Sequence, residues 1–210
     1  VAVAFLWHHH QPDYRKPSTG EALLPWVRLH GVKNYYAMAK IALEFPEMKL
    51  NFNLVPSMLD QLLEAAGGTD DIHLRHSRKS PAEMPDEEKE FLLSEFFSAN
   101  WRTLIEPFPR YKELLDLSGK KKGEHPRDAL RRFGEQDLRD LQVWFNLVWF
   151  HPYSREKEEL LAGLMEKQRS FTEEEKHRLL DLQLALLGEV VSLYRKLAES
   201  GQAELTTSPY

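Results

Sequence analysis

The sequence predicts an α/β fold of the barrel type, with a helical insertion between its second and third strands. Three observations predict it. Val1-Ala2-Val3-Ala4-Phe5-Leu6-Trp7 is a continuous apolar run, the pattern of a strand covered on both faces of a parallel sheet. Over residues 1–66 the periodicity alternates strand, helix, strand, helix, which implies parallel strands joined by right-handed crossovers. A long, mostly helical stretch then separates these elements from a last strand at the C-terminal end.

The first strand runs into a polar cluster, His8-His9-His10-Gln11-Pro12-Asp13-Tyr14. Residues 15–30 read as loop, broken by Pro17, Gly20 and Pro25. A helix is expected over 32–45, stopped by Pro46. In the second strand, Leu50-Asn51-Phe52-Asn53-Leu54-Val55, alternation sends the apolar side chains to one face and both asparagines to the other. Pro56 then suits the first turn of a helix ending near Ala66.

Residues 67–85 are polar and punctuated by Pro and Gly, so they read as loop, whereas 86–117 and 127–150 are helical in pattern. The tract Ser118-Gly119-Lys120-Lys121-Lys122-Gly123 between them reads as a solvated tip. In the last helix, Thr172 and Glu175 form a capping box, and Leu179, Leu180, Leu186, Leu187, Val190, Leu193, Tyr194 and Leu197 form its apolar face. Gly201 stands where a left-handed cap is wanted, and Ala203–Ser208 opens a third strand.

Composition narrows the function. The chain has 210 residues, 42% of them hydrophobic, and a formal net charge of −5, which argues against nucleic-acid binding. No apolar run is long enough to span a membrane. The absence of cysteine removes thiolate catalysis and Cys-type metal sites, and fits a cytoplasmic location. The missing initiator Met and the terminal Ser208-Pro209-Tyr210 lead us to expect a piece of a longer protein.

In βα barrels, polar residues at the C-terminal ends of the strands build the active site. Period-two geometry puts His8 and His10 on one side of the first strand, Trp7 and His9 on the other. Two imidazoles on one side can hydrogen-bond the hydroxyls of a sugar or bind a metal. Asn51 and Asn53 offer amides to the same mouth. Trp26, His30, Trp144, Trp149 and His151 are further candidates, since sugars stack their C–H faces on aromatic rings. No G-x-S-x-G, P-loop, G-x-G-x-x-G or H-E-x-x-H occurs, and no catalytic carboxylate pair is evident.

Segments carrying these residues resemble glycoside hydrolase family 57. Leu6–Tyr14 is similar to its first signature block, whose hallmark is the His-Gln-Pro seen at His10-Gln11-Pro12. Leu24–Gly31, Asn51–Ser57, Asp140–Phe150 and Ala203–Tyr210 resemble further segments of that family in the same order. The resemblance implies the N-terminal portion of an incomplete (β/α)7 barrel. Residues 1–210 would form one partial catalytic domain, with 67–202 largely helical insertion and crossover. It implies a retaining hydrolase or transglycosylase acting on α-glucans, needing no cofactor or metal. The family's Glu nucleophile and Asp acid/base belong to later blocks, beyond Tyr210. The binding residues carried over are His10 by motif and, by position, His8, Gln11 and His30, and the reading of the residues adds Trp26 and Asn53. The Thr206-Thr207-Ser208-Pro209-Tyr210 form resembles the α-amylase and amylopullulanase-like branch.

Two other readings stay open. In one, His8 and His10 are ligands in a metal-dependent barrel hydrolase, which requires further ligands at later strand ends. In the other, the same rim belongs to a non-catalytic glycan-binding module.

Overall fold

A computed structural model describes residues 3–209. In chain order its regular elements begin with β1 (Leu6–His9), α1 (Trp26–His30), α2 (Tyr36–Leu43), β2 (Leu50–Leu54) and α3 (Pro56–Ala66). A helical series follows: α4 (Ile72–Arg78), α5 (Asp86–Glu95), α6 (Pro109–Leu117), α7 (Pro126–Ala129), α8 (Glu135–Leu147), α9 (Pro152–Lys157) and α10 (Glu159–Lys167). The long α11 (Glu173–Glu199) leads into β3 (Ala203–Thr206). The chain divides into two compact units: Val1–Ile72 with Leu182–Tyr210, and His73–Asp181.

The first unit holds a three-stranded sheet in the order β1-β2-β3, parallel throughout. The register sets His8 beside Asn53 and Asn53 beside Thr206, one row lying across all three strands. One face of the sheet packs on helices, with Phe52, Tyr35, Leu187 and Tyr194 buried against it. Each such side chain contributes roughly 1.5–3 kcal/mol by leaving water. A π-helical stretch, Gly31–Tyr35, joins α1 to α2, and a Cβ at Gly31 would collide with Leu187. Glycine there lets α11 approach closely. After α11, Gly201 takes the left-handed conformation at φ 67°, as its position predicts. Gln202 then donates to the Ala42 and Phe45 carbonyls, satisfying acceptors around the end of α2. Within this unit the buried Arg28 guanidinium pairs with Asp71 at 2.7 Å and also donates to Gln183.

The first strand departs from its expected form. It begins at Leu6 and contains His8 and His9, whereas the sequence pattern places its start at Val1 and its end before the histidines. Val1 and Ala2 lie outside the described residues. Nor is the run covered on both faces, for Phe5 and Trp7 are 71% and 48% exposed. Within the described sheet β1 is an edge strand, with β2 as its neighbour on one side.

The second unit is helical and closes around Phe96, Phe145, Trp144, Tyr111 and Phe171. Residues 67–85, expected to be loop, contain α4 and a 3-10 turn at Pro81–Glu83. The buried face of α4 is His73, Leu74 and Ser77, held partly by hydrogen bonds, so apolar periodicity does not reveal it. The lysine tract forms one 3-10 turn, Lys120–Lys122, with Lys121 and Lys122 exposed. Thr172 and Glu175 exchange their capping-box bonds, at 2.7 and 3.1 Å. Among the described residues no helix is long and apolar enough to cross a membrane.

Candidate functional site

The face of the sheet opposite the helices is polar at the strands' C-terminal ends. In a parallel sheet, residues in register point their side chains the same way, so His8, Asn53 and Thr206 line up on that face. Hydrogen bonds link the row. His8 Nδ1 lies 2.8 Å from Asn53 Oδ1, Asn53 Nδ2 donates to Thr206 Oγ1 at 3.2 Å, and Thr206 Oγ1 donates to the Phe52 carbonyl at 3.4 Å. Ser208 also donates to Asn53 Oδ1, at 3.1 Å.

The direction of this chain is fixed from its far end. A carbonyl only accepts, so the Thr206 hydroxyl spends its proton on Phe52 and must accept from the Asn53 amide. Asn53 therefore turns its oxygen to His8, which must donate through Nδ1. In the neutral ring the remaining nitrogen, Nε2, is then an acceptor.

Two residues on, the His10 ring stacks on His8 with centroids 5.6 Å apart and planes 11° from parallel. Both histidines are exposed, and they share a side as period-two geometry predicts. Imidazole lone pairs lie in the ring plane, so near-parallel stacked rings do not converge on one ion. Among the described residues no group of three or more His, Cys, Asp or Glu is placed to hold a metal.

Behind the row the chain is anchored tightly. Gln11, only 7% exposed, donates to the Tyr35 hydroxyl at 2.9 Å and accepts from Tyr14 at 2.8 Å. Tyr35 in turn donates to the His10 carbonyl at 3.4 Å. On α3, Ser57 donates to the Gln11 carbonyl, and Gln61 both donates to the Pro12 carbonyl and accepts from the Tyr14 amide. Gln11 is thus placed to hold the turn, with its amide engaged at both ends. Asp13 is exposed, and hydrogen bonds from Arg15 hold its carboxyl below the usual range, which makes it a poor proton donor near neutral pH.

The other expected site residues fall in three places. Asn53 sits within the row, buried at 7% exposure. Trp26 and His30 stand one turn apart on α1 with rings 6.4 Å apart, both half-buried, and His30 Nδ1 lies 3.0 Å from Asn34 Oδ1. Trp144 and Trp149 are corrected, because both are buried in the core of the helical unit, and His151 lies in that unit too. Trp144 is fully buried and donates to the Gln168 carbonyl, Trp149 is buried, and His151 caps α9 by accepting from the Tyr153 amide.

Sequence reasoning missed Thr206 and Ser208. The signal was present, because Glu204, Thr206 and Ser208 alternate along β3 and just past it, as His8 and His10 do at the end of β1. Tyr35 and Tyr194 were also missed as anchors, since a tyrosine at an apolar helix position reads as core.

The arrangement offers stacked imidazoles, one with an acceptor nitrogen of fixed sense, beside hydroxyl and amide groups. That set can bind and orient a polyhydroxylated ligand. The family model described as Glycosyl hydrolase family 57 matches residues 4–210. Neither a curated protein nor a solved structure matches the chain.

Proposed function

The chain belongs to glycosyl hydrolase family 57, a family of glycoside hydrolases and transglycosylases, and we propose that it supplies the substrate-binding rim of a retaining enzyme acting on α-glucans. One observation carries the reading: the chain from Phe52 through Thr206 and Asn53 presents His8 Nε2 as an acceptor beside the stacked His10 ring. A sugar hydroxyl donates to such a nitrogen, and a pyranose C–H face suits the ring beside it. In this reading His8 and His10 touch the glucan, Asn53 and Gln11 position them, and Trp26 with His30 extends the rim along α1.

Retaining glycosidases need two carboxyl groups about 5–5.5 Å apart, one to attack and one to protonate the leaving oxygen. We place that Glu and Asp downstream of Tyr210, on strands that complete an incomplete (β/α)7 barrel against the open side of β1. The exposed apolar Trp7 on that edge strand, with Phe5 just before it, supports this placement. The cysteine-free composition supports a cytoplasmic enzyme.

The test has two arms. Incubated with maltoheptaose, the purified 210-residue chain is expected to release no reducing sugar; clear turnover would overturn the placement of the carboxylates. In an enzyme carrying the downstream strands, His10→Ala is expected to lower turnover at least about tenfold, the equivalent of one lost hydrogen bond. Thermal unfolding should be nearly unchanged. A matching loss of stability would instead make His10 a structural residue.

A further inference from the structure

The helical unit carries a groove of about 590 Å³, within the range of about 300–1,000 Å³ usual for ligand pockets. Its walls are the start of α5, the turns from α7 onward and the start of α8. Six charged side chains reach it, three of each sign: Lys89, Arg127 and Arg131 against Asp86, Asp128 and Glu135. Buried Leu138 and the half-buried ring of Phe133 complete the lining.

Several charges close to the groove are paired. Nearby, Arg110 engages Glu113, Asp137 and Asp140 together, Arg132 engages Glu124, and Arg139 engages Glu173. In the groove, by contrast, none of the six holds an ion pair among the described residues. The one side-chain hydrogen bond they make is Arg131 Nε donating to the Asp128 carbonyl at 3.3 Å.

Balance of sign disfavours a simple ion. A phosphate would meet three carboxylates, and a divalent cation would meet an ammonium and two guanidiniums. A hydroxyl group donates and accepts at once, so a polyhydroxylated chain can satisfy carboxylates and cations side by side. Phe133 adds an apolar ring on which a sugar C–H face can rest. We propose that this groove is a second carbohydrate-binding site, taking a neutral α-glucan on residues none of which belongs to the strand-end row. That the ligand is neutral and hydroxyl-rich follows from the groove; that its linkage is α rests on the reading above.

The experiment is an amide-resolved NMR titration of the whole chain with maltoheptaose, with inorganic phosphate and calcium chloride as parallel probes. Amides of residues 86–89 and 127–135 should shift with maltoheptaose and not with either ion. Phe133→Ala and Arg131→Ala, both at sites with solvent access, should each weaken that response about tenfold and leave the rest of the spectrum in place. Groove amides unmoved by maltoheptaose, moved equally by an ion, or indifferent to both substitutions would overturn the proposal. The two readings separate in the same data. Shifts at His8 and His10 without shifts in the groove sink the second site alone. Shifts in the groove without shifts at His8 and His10 sink the strand-end reading alone.

Discussion

His9 Nε2 lies 2.8 Å from the Tyr194 hydroxyl, a bond between the first strand and the last helix across 185 residues. Tyr194 spends its own proton on the Tyr35 carbonyl at 3.1 Å, so the His9 ring nitrogen is the donor. Neighbouring histidines therefore hold opposite tautomers. His8 donates through Nδ1 towards the polar row, and His9 donates through Nε2 into the core, where its ring stacks on Phe52.

That opposition is directly measurable. In ring-nitrogen NMR spectra, the neutral form of His8 should carry its proton on Nδ1 and that of His9 on Nε2. Asn53→Ala removes the acceptor and should let His8 drift towards the Nε2–H form, with His9 unchanged. An Nε2–H signal from His8 in the unaltered protein would show that Asn53 does not set its sense.

The burial of His9 makes stability depend on pH. Desolvation, with the charge of His8 a smaller cause, lowers its imidazole from 6.5 to about 4. Between those values the unfolded chain binds a proton that the folded chain refuses. The contribution of His9 is full above pH 6.5, falls as pH drops, and is lost near pH 4. Between pH 7 and pH 5 the loss is about 2 kcal/mol. Urea unfolding of the protein and of His9→Phe should show it, the variant losing less over that interval by roughly this amount. Parallel pH profiles would mean that His9 titrates alike in both states.

Gly201 offers a separate check on backbone strain. A Cβ there meets nothing within 4 Å, so any cost of Gly201→Ala comes from the positive φ alone. The expected loss is about 1–2 kcal/mol, measured by chemical denaturation. Gly201→Asn should lose less, because asparagine visits the left-handed region more readily. Equal losses for the two variants would point to a different cause.

Much of this was legible in the sequence where one period ruled a segment. The alternation of Asn51, Phe52 and Asn53, the proline opening α3, the Thr172–Glu175 box and Gly201 each carry a local signal that the structure repeats. The pairing of His8 with His10 came from the same logic. What stayed hidden was non-local. The burial of Gln11 depends on Tyr35, 24 residues away, and the setting of His8 depends on Asn53, 45 residues away. The helix α4 was hidden for another reason, since His73 and Ser77 bury polar groups that read as surface. Trp144 and Trp149 misled because a large aromatic serves a sugar and a core equally well.

The bond from Asn53 to Thr206 joins residues 153 positions apart. At about 5–20 residues per second of synthesis, Thr206 follows Asn53 by roughly 8–30 s. During that interval β2 has emerged and β3 has not, so the growing chain exposes the edge of β2 that β3 later pairs. Non-local parallel pairing is slow even in a finished chain. The row that organises His8 is therefore completed only after the helical residues between β2 and β3 have been made, and until then the nascent chain carries an aggregation-prone edge.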